Sequence, residues 1–170
     1  MREILLSRGL VTIVDDDDHV WLRRHKWCVT SGGYATRGVH TPGKNGKKTW
    51  YRMHREILAK QLGNDAISGK DVDHINGNPL DNRKQNLRPA TRSQNLSNKR
   101  FSERNTSGFR GVTWAKRERT WFAQIKVHGK CRHLGYFRDP IEAARAFDAA
   151  ALKYRGEFAQ LNFPEQRCAS

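Results

Sequence analysis

VDHINGNPLDNRKQNLRPATRSQN, which runs from Val72 to Asn95, sets an acid beside a histidine and follows them with two spaced asparagines. If Val72–His74 is extended, the side chains of Asp73 and His74 project to opposite sides of the backbone, so one can hold a metal while the other faces a water. Asn76-Gly77-Asn78-Pro79 is strong turn chemistry, Asn86-Leu87-Arg88 can pair back as a short strand, and Thr91 can start a helix that carries Asn95. The expected local fold is a β-β-α hairpin that brings Asp73, His74, Asn86 and Asn95 together. Alone, each of these residues reads as part of a polar turn or a helix cap.

Taken together, the residue types, their spacing and the turn signals closely resemble the HNH nucleases. The likeness is to the phage and intron-encoded homing endonucleases in which the last histidine of the motif is replaced by asparagine. This resemblance implies that Asp73 and Asn95 bind a divalent metal and that His74 is the general base. It also implies that Asn86 orients the imidazole through the ring nitrogen not used in catalysis. With one carboxylate and one carboxamide oxygen as ligands, the expected ion is Mg²⁺, with Mn²⁺ tolerated; it prefers oxygen and keeps waters and substrate phosphate in its shell. No structural zinc is expected. The chemistry needs each part: a histidine can deprotonate a water near neutral pH, and a metal can act as Lewis acid on the scissile phosphate and leaving oxygen.

Composition agrees with a polyanionic partner. Lys and Arg number 32 against 17 Asp and Glu, a formal charge of +15, and residues 1–53, 54–106 and 107–170 carry +5, +4 and +6 of it. A single basic tail is excluded, and double-stranded DNA running along the molecule is the natural ligand, its phosphates supplying sequence-independent affinity. There is no long apolar run, signal-like start or lipidation motif, so no membrane partner and a cytoplasmic location are expected. Cys28, Cys131 and Cys168 are far apart and form no CxxC pair, against both a zinc ribbon and a disulfide framework.

Residues Ser97 to Ser107 are polar, basic and aperiodic, and read as a linker, with its core at 101–107. Beyond it, Trp121, Ala123, Ile125 and Val127 alternate with Phe122, Gln124 and Lys126, giving one core face and one face open to a partner. His128-Gly129-Lys130 turns into a second strand at Cys131–Phe137, and Gly111–Trp114 can be a third. Asp139-Pro140-Ile141-Glu142 supplies an N-cap, a proline at the first helical position and a reciprocal acid for an Ala-rich helix ending near Gly156. Trp114 and Trp121 have core parity and are expected under the sheet.

FRGV, the W-x-A-x-I strand, LGYF, EAARAFDAAALKYRG and LNFP make this module similar to the Apetala-2/ethylene-response-factor DNA-binding domain over essentially its full length. In that family the outer face of the sheet enters the major groove. The resemblance implies base or phosphate contacts from Arg110, Lys116, Gln124 and Lys126, with Arg132 a further candidate displaced by one position.

The first fifty-odd residues say less. EILLS, LVTIV, YATRGVH and KTWYRMH look like short strands, and Asp15–Asp18 look like the solvated start of a helix over Val20–Arg24 rather than a metal site. Tyr34, Arg37, Lys44, Lys47 and Lys48 around glycine turns resemble the basic β-ribbon by which phage homing enzymes grip DNA, and Arg88 and Arg92 extend the cationic set. His54, at the start of the helix expected over MHREILAKQLG, is expected to be structural, although it could approach the site.

The expected architecture is α+β: a β-rich DNA-contacting segment (1–53), a ββα-metal catalytic unit (54–100), the linker, and a three-stranded antiparallel sheet packed on one helix (108–165). The expected function is site-specific, metal-dependent DNA cleavage of the homing type, nicking one strand to leave a 5′-phosphate and a 3′-hydroxyl. The enzyme is expected to act as a monomer with no obligatory protein partner. A DNA-binding regulator with an inactive hairpin and a defence or recombination nuclease of relaxed specificity are the alternatives.

Overall fold

The structure is a computed structural model that describes residues 1–40, 46–97, 105–127 and 129–165, with the backbone alone for 96–97. Lys44, His128, Cys168 and most of the linker stretch lie outside the described residues. Both helices and strands contribute, in two compact units, Met1–Arg92 and Ser93–Ser170.

In the first unit, β1 (Arg2–Leu5) and β2 (Val11–Val14) form an antiparallel hairpin, followed by α1 (Asp16–Leu22). β3 (Cys28–Val29), β4 (Ala35–His40) and β5 (Lys48–Arg52) make a three-stranded sheet that runs into α2 (Met53–Leu62). β6 (Asp71–His74) pairs antiparallel with β7 (Leu87–Ala90), and α3 (Arg92–Ser97) starts on the unit's last residue. One core joins these pieces: Ile4, Leu6, Val14, Leu22, Trp27, Met53, Ile57, Leu58, Val72 and Leu87 are all buried in a single cluster. The β6–β7 hairpin therefore folds onto the N-terminal strands and shares their core.

Two devices fix that attachment. The Ile13 amide donates to the Leu80 carbonyl (2.9 Å) and the Asn82 amide donates to the Ile13 carbonyl (2.8 Å), so the loop of the hairpin lies along β2 as a further extended segment. The acidic tetrad supplies the second. Asp15 accepts from the Lys84 amide at 2.8 Å, and the Lys84 ammonium pairs with Asp17 and Asp18. The helix opened by these acids begins at Asp16, four residues before the stretch the sequence suggests, because Asp15 is already extended as its N-cap.

The second unit holds β8 (Val112–Ala115), β9 (Thr120–Val127) and β10 (Lys130–Phe137) in the antiparallel order β10-β9-β8, with α4 (Pro140–Arg155) beneath. Asp139 caps α4 by accepting from the Ile141 amide at 2.9 Å, and the small faces of Ala143 and Ala144 pack with Val112 and Ala123. Gly111, at φ 73°, has no room for a side chain: a Cβ there would strike the Phe147 ring and sit 2.7 Å from the Gln124 carbonyl. Fully buried Asp148 accepts from the Asn162 and Phe163 amides (2.8 and 2.9 Å), which ties down the closing Leu161-Asn162-Phe163 segment.

Two expectations for the sheet change. Trp121 packs against the core, whereas Trp114, its register partner, is 41% exposed and meets Trp121 edge-on at 5.1 Å. Trp114 lies two residues beyond Val112, where β8 packs on the helix. Arg132 pairs in register with Ile125, a core-side residue, and its guanidinium lies 5.2 Å from the Tyr154 ring of α4. It is on the helix side, away from Gln124 and Lys126, because a single step along a strand reverses the face.

Candidate active site and nucleic-acid interface

β6 places Asp73 and His74 on opposite faces, as alternation requires, and both are buried. Asp73 is in register with Arg88 of β7, whose guanidinium reaches Asp73 Oδ2 through Nε (3.0 Å) and Nη2 (2.9 Å). Arg88 therefore braces the acid across β6 and β7. The fork engages one of the two carboxylate oxygens, and a carboxylate offers lone pairs on both.

Asn86 does not orient His74 in this structure. Its Oδ1 accepts from the Asn76 amide (3.0 Å), and its Nδ2 donates to Asn76 Oδ1 (3.0 Å) and to the Asp81 carbonyl (2.8 Å). It pins the two ends of the β6–β7 loop together. The residue at the His74 ring is Asn82, with Nε2 3.3 Å from its Oδ1. Asp81, held below the usual carboxylate range by a hydrogen-bonded pair with Arg83, completes the loop by accepting from Asn76 Nδ2 at 2.8 Å.

Three rings meet at the base of the hairpin. The His74 ring is 5.0 Å edge-on from His54 and 5.9 Å from Tyr34, and His54 and Tyr34 are 5.3 Å apart. Burial holds His74 below the ordinary imidazole value, opposed by the Asn82 hydrogen bond and by the charges of Asp73 and Asp81. A neutral imidazole can take a proton. His54, expected to be structural although able to approach the site, does approach it from α2, whereas Asn82 and Tyr34, the latter just before β4, are brought in by tertiary packing that the sequence does not show.

His54 is buried, and its Nδ1 has no hydrogen-bond partner among the described residues. Burial, then the neighbouring charges of His74, Arg52 and Arg55, push it down to about 3. In the unfolded chain an imidazole binds a proton near 6.5. The neutral ring's contribution to stability is thus complete above that pH and is lost as pH falls toward 3, at about 1.4 kcal/mol per pH unit. Urea midpoints measured from pH 7 to 4 should fall more steeply for the wild type than for His54→Phe; parallel curves would contradict this.

Of the other cationic candidates in the first unit, Arg37 is bound bidentately by Glu56 (2.9 and 3.1 Å) and lies against Trp27 and Tyr51, so it braces β4 on α2. Lys47, Lys48 and Arg92 are exposed, and Lys48 sits 4.5 Å from the exposed Trp50 ring. In the second unit Lys116 and Lys126 are exposed and Arg110 and Gln124 half-buried. The sheet's outer face also carries a cluster missed from sequence: Phe122, His133 and Tyr136, with ring centroids 4.9–5.4 Å apart. Register places His133 opposite Gln124 and Tyr136 opposite Phe122 across a bulge, so these rings line the row the sequence left to Gln124 and Lys126.

The metal ligands assigned by resemblance fall in different units, Asp73 in the first and Asn95 on α3 in the second. Among the described residues no three His, Cys, Asp or Glu side chains gather into a ligand set. A donor set of one carboxylate and one carboxamide fits a hard ion that takes its remaining ligands from water and phosphate.

Comparison with known proteins agrees with this geometry. The HNH endonuclease family model matches residues 51–97, which include the whole of α2, β6, β7 and α3. Protein 3.8 of Escherichia phage T7 is 31% identical over 118 residues, 69% of this chain and 97% of that protein. HNH endonuclease L560 of Acanthamoeba polyphaga mimivirus is 29% identical over 160 residues, 93% of this chain and 79% of the relative. APETALA2-like protein 2 of Oryza sativa is 45% identical over 58 residues, 34% of this chain and 13% of the plant protein. Such likenesses in the C-terminal region, with the HNH model over the hairpin, indicate DNA binding and a nuclease role. No helix among the described residues is long and apolar enough to cross a membrane. A chain that carries the HNH hairpin and aligns with nearly the whole of a phage relative belongs to the HNH endonuclease family, here with an AP2/ERF-like module in its C-terminal region.

Proposed function

We propose that this nuclease is a site-specific endonuclease of the homing type, which nicks double-stranded DNA and leaves a 5′-phosphate and a 3′-hydroxyl. The observation that supports this reading is the pair on β6: a buried His74, whose proton affinity burial lowers, on one face and a buried Asp73 on the other. His74 accepts a proton from the attacking water, and burial keeps its ring from being protonated beforehand. Asp73 would be the charged ligand of a divalent ion, Mg²⁺ in this reading, which takes further oxygens from water and phosphate and when bound supplies Lewis-acid stabilisation of the phosphate. Arg88 holds the Asp73 carboxylate in place, and Asn86 keeps the loop closed so that His74 and Asp73 stay at fixed spacing.

Target choice falls to the outer face of the C-terminal sheet, where Gln124, Lys126, His133 and Tyr136 line one row. A hairpin that meets mainly phosphates discriminates sequence poorly, whereas a groove reader gains about 1–3 kcal/mol per good bidentate base contact. Gln124→Ala with Lys126→Ala should lower site preference by roughly tenfold or more and reduce the salt slope of binding by about one, at little cost to single-turnover cleavage of saturated DNA. Unchanged specificity would move target reading to the β4–β5 ribbon. The whole reading is tested by incubating the protein with Mg²⁺ and a duplex library and mapping ends at nucleotide resolution. Ends at one site on one strand, abolished by chelator, are expected; cleavage that persists in excess chelator would overturn the metal mechanism. One copy of Asp73 and His74 per chain and no heptad seam favour a monomer, so supercoiled plasmid with one target should stop at the open circle.

A further inference from the structure

Thr12 and Asn82 are both fully buried polar residues, and they meet between β2 and the catalytic hairpin. Thr12 Oγ1 lies 2.7 Å from the Leu80 carbonyl and 2.7 Å from Asn82 Nδ2, and Asn82 Oδ1 lies 3.3 Å from His74 Nε2. Chemistry fixes the direction of every bond in this line. The Leu80 carbonyl can only accept, so the Thr12 hydroxyl donates to it. Thr12 Oγ1 then has lone pairs for the Asn82 amide nitrogen, which donates to it and leans toward a second acceptor, the Pro79 carbonyl, at 3.4 Å. With its nitrogen committed, Asn82 presents oxygen to His74. An oxygen without hydrogen accepts, so Nε2 must carry the proton, and a neutral imidazole carries only one.

We propose that Thr12 and Asn82 are positioning residues that hold His74 as its Nε2–H tautomer and so make Nδ1 the nitrogen that takes the proton from water. The inference rests on the reading of His74 as general base. It gives the N-terminal hairpin a part in the chemistry, through a side chain 62 positions from His74 in sequence. The backbone clamp between Ile13 and the Leu80–Asn82 segment sets the register of the relay, so Thr12 meets Asn82 and not a neighbour. In the step itself, a water O–H bond breaks and its proton joins Nδ1 while the water oxygen bonds to phosphorus. The bond from phosphorus to O3′ breaks with its electron pair on O3′, which takes a proton from solvent. The imidazolium, still donating through Nε2 to Asn82, afterwards returns its Nδ1 proton to solvent.

The test reads the tautomer directly, by ¹⁵N correlation spectra of the His74 ring in the full chain at a pH where the ring is neutral. The wild type should show the Nε2–H pattern, and an Nδ1–H pattern would overturn the proposal without any variant being made. Thr12→Val, nearly isosteric, removes the acceptor that orients the amide; it should give mixed tautomers and lower kcat by about tenfold or more, with KM and DNA binding unchanged. Thr12→Ser should restore both. A Thr12→Val protein with wild-type tautomer and wild-type kcat would sink the relay while leaving His74 as base. Full cleavage by His74→Ala would instead remove the underlying reading, whatever the spectra show.

Discussion

Replacing His74 with alanine is expected to lower DNA cleavage by about 10²–10⁴-fold, the usual worth of a positioned general base, while DNA binding stays nearly unchanged. The two effects separate because of where the ring sits. His74 is buried against His54 and Tyr34, with one nitrogen turned to Asn82, whereas the exposed cations of the first unit, Lys47, Lys48 and Arg92, lie on other elements. Loss of the imidazole removes a proton acceptor and leaves those charges in place. It also leaves a gap beside two aromatic rings, so thermal unfolding should be measured alongside, and His74→Asn provides a second variant that fills part of the gap without a basic nitrogen. Single-turnover cleavage on saturating DNA isolates the chemical step. A His74→Ala protein that cuts at the wild-type rate would take His74 out of the mechanism.

How much of this could be read in the sequence depends on the range of the contacts involved. β6, the turn at Asn76–Pro79, β7 and α3 follow from local chemistry: alternation, turn residues and a helix start within a few positions of one another. The C-terminal strands and α4 were legible for the same reason, down to the Asp139 cap. The partner of His74 was not. The loop between β6 and β7 has no period, and only its docking on β2 turns Asn82, rather than Asn86, toward the ring. Thr12, Tyr34 and His54 come from elements distant in sequence, which spacing rules do not reach.

Charge counting failed in a different way. Arg37 and Arg88 add to the net charge like any other cation, yet each is committed to a carboxylate inside the fold, and a sum cannot tell satisfied charges from available ones. Arg132 shows the sensitivity of strands. Its register with Ile125 puts it on the helix side, and the bulge after His133 keeps His133 and Tyr136 with the outer row.

The Asp73–Arg88 pair leads to a prediction in which stability and activity move independently. Both side chains are largely buried, 3% and 13% exposed, and they face each other across β6 and β7. Asp73→Ala removes the negative partner from a guanidinium held away from water, a change that costs about 3–5 kcal/mol in buried pairs. Cleavage should be lost as well, since Asp73 is the one charged ligand in the proposed metal set. The single variant therefore confounds two roles. Adding Arg88→Met removes the stranded charge and keeps a long apolar side chain between the strands, which in buried pairs is often neutral or stabilising. The double variant should recover most of the lost stability in urea unfolding and still fail to cut with Mg²⁺ present. Arg88→Met alone should weaken the fold by leaving Asp73 as the unpaired charge, and should retain some cleavage, because a divalent ion can then neutralise the carboxylate that Arg88 no longer holds. Added Mg²⁺ should accordingly raise the unfolding midpoint of Arg88→Met more than that of the wild type, and should not move the double variant. Cleavage by the double variant at near wild-type rate would show that Asp73 serves the fold alone, and that the charge on which the metal reading depends lies elsewhere.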